Sequence, residues 1–142
     1  MWPRQARVGQ NTAVLALAIV AIVVAALFHV VTFVLESVRW TQPAVWRRFG
    51  VASQADADTI RPMALNQGFY NLFLAIVTAV GLVLGAFEYY DAGLALIFAG
   101  AGSMLAAALV LLASSPDKAR AAITQGILPL IAIVLIGLHL AL

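Results

Sequence analysis

Four stretches of this chain each hold enough predominantly apolar residues for one bilayer crossing, which takes about 20. They lie over about 12–40, 62–86, 92–114 and 119–142. Runs of this length and number leave little choice of solvent. The 142 residues are 64% hydrophobic and only 10% charged, against about 45–50% and about 25% in a soluble domain. A chain so poor in polar residues cannot cover itself against water, so its solvent is lipid. The reading is an all-α integral membrane four-helix bundle, with residues 1–142 forming one transmembrane domain.

The segments between the runs carry the punctuation. Residues 1–10 read as a short polar leader with Arg4 and Arg7, and Asn11-Thr12 as the N-cap of the first span. That span exceeds the ~7–15 apolar residues of a signal-peptide core, and no small-x-small site precedes a polar start, so it is read as a membrane helix. The connection over 41–61 is the longest, with an interfacial segment over about 43–60. Pro43 permits a helical start that Gly50 ends, and Trp46 beside Arg47 and Arg48 suits the headgroup layer. Ser53 with Asp56 suggests a further helix start near Gln54. Pro62 is expected where the second span begins. Gly81 and Gly85 form a GxxxG pair, and Ala99, Ser103 and Ala107 favour close backbone approach in the third span. Pro129 is expected to kink the fourth.

Orientation follows from the basic residues. Arg39, Arg47, Arg48, Arg61, Lys118 and Arg120 fall on one side, and only Arg4 and Arg7 on the other. The positive-inside rule puts the richer side in the cytoplasm and both termini on the non-cytoplasmic side of a multi-pass protein of the inner (cytoplasmic) membrane. Basic residues at segment ends, not on one face, make no nucleic-acid footprint. With no cysteine, disulfides, cysteine-based zinc sites and thiol nucleophiles are excluded.

Against this apolar background one stretch stands out. Asn66, Gln67, Tyr70 and Asn71 open the second span, and carboxamides in hydrocarbon are costly unless something answers their hydrogen bonds. The four-span topology puts His29 and Glu36 of the first span and Gln125 of the fourth at the same depth. His29, Thr32, Phe33 and Glu36 fall at i, i+3, i+4 and i+7, one stripe of a helix. The expectation is a polar pocket between spans one, two and four, near the cytoplasmic interface. His29 has the side chain whose ordinary pKa lies nearest neutrality and is the expected proton acceptor or donor. Glu36, roughly 10 Å along the axis, is its complement. Asn66, Gln67, Tyr70, Asn71 and Gln125 are the expected substrate-binding groups. Each also has a plainer role: a neutral buried imidazole, a Glu36–Arg39 ion pair, interhelical glue. His139 reads as an interfacial residue. One His and one Glu are too few ligands for a metal site, and no cofactor motif appears.

Taken together, His29 with Glu36 seven on, Trp40, Phe49-Gly50, the run Asn66-Gln67-Gly68-x-Tyr70-Asn71 and Gln125-Gly126-x-x-Pro129 resemble a family of small bacterial four-helix membrane proteins, domain-of-unknown-function family 1304. The resemblance covers nearly the whole chain. It implies four spanning helices and a cytoplasmic-membrane address, and brings no activity. Leu72 stands where a small residue usually follows the second Asn.

The functional expectation is a membrane protein that binds a small apolar or amphiphilic molecule in a cytoplasmic-leaflet pocket and acts on it by acid–base chemistry. Two alternatives stand beside it. One is a proton-coupled small-molecule transporter working as a homodimer, packed through Gly81 and Gly85 or the small face of the third span. The other is a non-catalytic accessory subunit.

Overall fold

Lipid offers a bare backbone no hydrogen bonds, so each apolar stretch closes its own as a helix. The computed structural model describes the backbone over residues 4–142 and side chains over residues 11–142. Helix α1 (Arg4–Phe33) continues into a π-helical turn, Val34–Val38. A short α2 (Pro43–Trp46) runs into a 3-10 turn ending at Phe49, and Gly50 then takes a left-handed φ of 81°. Helices α3 (Gln54–Ala86), α4 (Tyr90–Ser114) and α5 (Ala119–Ala141) follow. Four helices are long and apolar enough to cross a membrane. No strand forms among the described residues.

The helix starts differ from expectation at two places. The leader expected over 1–10 is helical from Arg4 on. Residues 1–3, and the side chains of Arg4 and Arg7, lie outside the described residues. The second span starts at Gln54, and Pro62 lies inside it. Proline removes only one ladder bond here, the one to the Asp58 carbonyl. The preceding turns are secured from outside. Ser53 accepts a bond from the Asp56 N–H at 3.1 Å, and the Trp40 indole donates to the Ala57 carbonyl at 2.9 Å. At 33 residues α3 is about 50 Å long, well beyond the ~30 Å hydrocarbon core. It is therefore longer than one crossing needs.

The spans alternate in direction and pack as a ring, α1 on α3, α3 on α4, α4 on α5 and α5 back on α1. The α1–α4 diagonal barely touches. Arg39, Arg47, Arg48, Arg61, Lys118 and Arg120 share one end, called the basic end below. The α3–α4 loop, the C-terminus and the described start of α1 share the other, the termini end.

The packing is inverted relative to a protein in water. The interior is mostly alanine and glycine, while Leu17, Val20, Leu27, Phe73, Val83, Leu109 and Val110 face outward. Small residues let backbones close on one another where lipid gives large side chains no reason to be inside. A Cβ on Gly81 would sit 2.8 Å from the Gly93 carbonyl, and one on Gly126 would sit 2.7 Å from Ala108. Gly81 is thus packed in the α3–α4 contact, while a Cβ on Gly85 would meet nothing within 4 Å. Ala99, Ser103 and Ala107 remain exposed on α4.

Two core clusters result. At the termini end Ala18, Ala21, Ile22, Ile97, Ala132 and Ile136 pack together. At the basic end Trp40, Trp46, Ala57 and Ala64 do so, with Phe49, Val51 and Ile60 against them. Trp46 was expected in the headgroup layer beside its arginines. Its ring is instead 2% exposed, with Arg47 stacked over it at 5.1 Å.

Candidate functional site

The site begins with the π turn. A wide turn inserts an extra residue, so consecutive side chains can both address a neighbouring helix. The Arg39 N–H closes it on the Val34 carbonyl at 2.9 Å. Glu36 and Ser37 both reach α3 from it. The Ser37 hydroxyl donates to the Leu65 carbonyl at 2.9 Å. Asn71 Nδ2 donates to Glu36 Oε2 at 3.1 Å, joining residues 35 apart in sequence, and to the Gln67 carbonyl at 2.9 Å. Both amide hydrogens of Asn71 are then used. Asn71 positions one carboxylate oxygen and leaves the other to something else.

Gly68 makes this approach possible. A Cβ there would run into the Ser37 hydroxyl and stand 3.1 Å from Glu36 Cβ. Beside the bond lies an open cleft of about 70 Å³, lined by Glu36, Ser37, Val38, Trp40, Thr41, Arg61 and Leu65. The half-buried carboxylate and the exposed guanidinium of Arg61 therefore share one small space at the basic end.

The structure brings only Asn71 to Glu36. Asn66 and Gln67 are exposed, and Tyr70 is 56% exposed. They lie on the outer side of α3 and make no hydrogen bond to Glu36 or His29. Gln125 is half-buried on α5, across the ring from α3. The second and fourth spans sit on a diagonal of the ring, so Gln125 does not meet the amides of α3. Matched depth is not enough to bring side chains together. They must also share a face.

His29 is 3% exposed and keeps to its own helix. Its Nδ1 lies 2.9 Å from the Ala25 carbonyl and must donate there, since a carbonyl only accepts. Phe28 stands edge-on, with ring centroids 5.9 Å apart. His29 makes no hydrogen bond to any of the amides or to Glu36. Glu36 likewise forms no ion pair with Arg39, whose guanidinium donates to Gln42 at 3.0 Å. His139 is half-buried, with Nδ1 3.3 Å from the Asn11 carbonyl, which helps close the ring between α5 and α1. Among the described residues no three His, Cys, Asp or Glu side chains gather into a metal-binding set.

Ser37, Thr41 and Arg61 join the cleft without standing out in the sequence as site residues. One signal was present: Arg61, Leu65, Gly68 and Leu72 recur at i, i+4, i+7 and i+11, a single face of α3. The π turn that aims Glu36 at that face leaves no comparable mark.

The chain was compared with known proteins. The profile of the family described as "Protein of unknown function (DUF1304)" matches residues 22–137. No curated protein and no solved structure matches. The matched range takes in His29, the π turn, the basic-end core, the whole of α3 and α4, and Pro129. Four apolar helices in an inverted packing make this a multi-pass membrane protein, and by the extent of the match it is a member of the DUF1304 family.

Proposed function

We propose that the protein binds a small amphiphilic molecule at the cleft beside Glu36, and that Asn71 holds the carboxylate for it. The observation that carries this reading is the Asn71–Glu36 bond. It ties two spans together, and among the described residues it is the only hydrogen bond Glu36 makes, although Glu36 also lines the open cleft. If the bound molecule is also transformed, Glu36 is the group at hand for proton transfer, and His29 would act from inside the bundle. By the positive-inside rule the cleft opens toward the cytoplasm, at the inner face of a cytoplasmic membrane.

The test is to purify the full chain in mild detergent and identify by mass spectrometry what it retains. Glu36→Gln and Asn71→Leu are each expected to cut retention about tenfold, the worth of a charge-assisted hydrogen bond. Undiminished retention in both variants, or nothing retained by the parent protein, ends the binding reading. Unchanged turnover of extracted lipids in both His29→Gln and Glu36→Gln ends the acid–base reading.

A further inference from the structure

Resting on that binding site, we infer that its ligand is a zwitterionic amphiphile with a primary ammonium group. The ammonium would meet Glu36, the anionic group Arg61, and the chain the aromatic track above Leu65.

Three observations converge. Glu36 and Arg61 line the same small cleft yet form no ion pair. Among the described residues, Arg61 makes no hydrogen bond or ion pair, and Glu36 has only the bond from Asn71. A carboxyl group and a guanidinium held apart across a space of about 70 Å³, room for several water-sized groups, suit a ligand that carries both signs. A primary ammonium can donate to the open carboxylate oxygen, and a quaternary one has no N–H with which to do so. Arg61 can bind a phosphate or carboxylate oxygen through its planar fork.

The third observation is apolar. Arg61, Leu65, Phe69 and Phe73 stand at i, i+4, i+8 and i+12, a row that runs about 18 Å along α3 and winds about a third of a turn around it. Leu65 lines the cleft, and Leu65, Phe69 and Phe73 are all exposed. Phe33 packs edge-on against Phe69 at 5.1 Å, and Phe69 lies 6.1 Å from Phe73. The stripe thus repeats the profile of a lipid, charge at the headgroup level and hydrocarbon beyond it. A free zwitterion would use the charged end alone.

The experiment offers the delipidated full chain an equal mixture of phosphatidylethanolamine, phosphatidylcholine and phosphatidylglycerol with identical acyl chains, and reads adducts by native mass spectrometry. The ethanolamine lipid is expected to lead each of the others by about fivefold, the worth of roughly one exposed ion pair. Arg61→Gln and Glu36→Gln should each bring that preference near unity, whereas Arg48→Gln, outside the cleft, should leave it intact. Phe69→Ala should weaken all adducts without changing the preference. Soluble phosphoethanolamine, which lacks chains, should not compete. Equal adducts in the parent protein, a preference that survives both cleft variants, or full competition by phosphoethanolamine overturns the inference. Glu36-dependent retention without headgroup preference would overturn this inference alone. Absence of any retained amphiphile would end the binding reading too.

Discussion

The two ends of the bundle are held together by different physics. At the termini end the interior is alanine, isoleucine and glycine, and helices touch through bare backbone, as where Gly81 and Gly85 meet Gly93. At the basic end two tryptophans, a π turn and bonds from side chain to backbone do the holding. Inside hydrocarbon, association rests on packing, and any polar group must be answered at once. Near the headgroups water can answer a polar group, so irregular backbone and unpaired charge become tolerable. The cleft lies at the basic end, where an open carboxylate oxygen does not face lipid tails.

The largest break in this contrast should come from overfilling the termini end. Gly81→Val places side-chain atoms against the Gly93 carbonyl and the Ile97 backbone, and neither can move aside. A cost of about 3 kcal/mol or more is expected, read as a steep fall in the melting temperature of detergent-solubilised protein. Gly68→Ala at the basic end should cost less, about 1–2 kcal/mol, since the Ser37 hydroxyl it meets can turn away. Its signature is local: the Ser37–Leu65 bond is lost, Glu36 shifts, and ligand retention falls. In the double variant with Ser37→Ala, part of the stability should return while retention stays low, a coupling that a double-mutant cycle measures.

The two tryptophans sharpen the comparison within one cluster. Trp40 donates its indole N–H to Ala57, whereas the Trp46 N–H is buried with no partner among the described residues. Trp40→Phe should therefore cost about 1 kcal/mol more than Trp46→Phe in thermal unfolding, because only the first gives up a made bond.

The smallest effect has the opposite sign. Glu88 takes φ 68° at the end of α3, where Tyr89 N–H bonds the Leu84 carbonyl at 2.9 Å and Glu88 N–H the Gly85 carbonyl at 3.2 Å. That is a Schellman ending with glutamate in the left-handed position glycine usually holds. Glu88→Gly should raise stability by about 0.5–1 kcal/mol, read as a small rise in melting temperature. A fall would mean that the Glu88 side chain contributes more than its backbone costs.

Much was legible from the chain alone. Apolar runs long enough to cross a bilayer dictate helices, because lipid cannot answer a bare backbone. The Ser53 cap, the Gly50 stop and the close packing at Gly81 follow from local chemistry, whereas Ala99, Ser103 and Ala107, expected to pack closely, are exposed. Glu36 and Asn71 were marked as unusual because each is a polar group at membrane depth, and they do meet.

Other features needed the folded chain. Pro62 reads as a helix start, yet Trp40 and the Ser53 cap keep helix on both sides of it. Gln125, Asn66, Gln67 and Tyr70 share a depth with Glu36 but not a face. Trp46 reads as interfacial and is core. Local sequence determines length, polarity and depth, which are properties of one helix in its solvent. Which faces meet is set by the order of helices around the ring and by a π turn that shifts the register of α1 at its end. Both depend on packing between residues tens of positions apart, and no pattern within a single span encodes that.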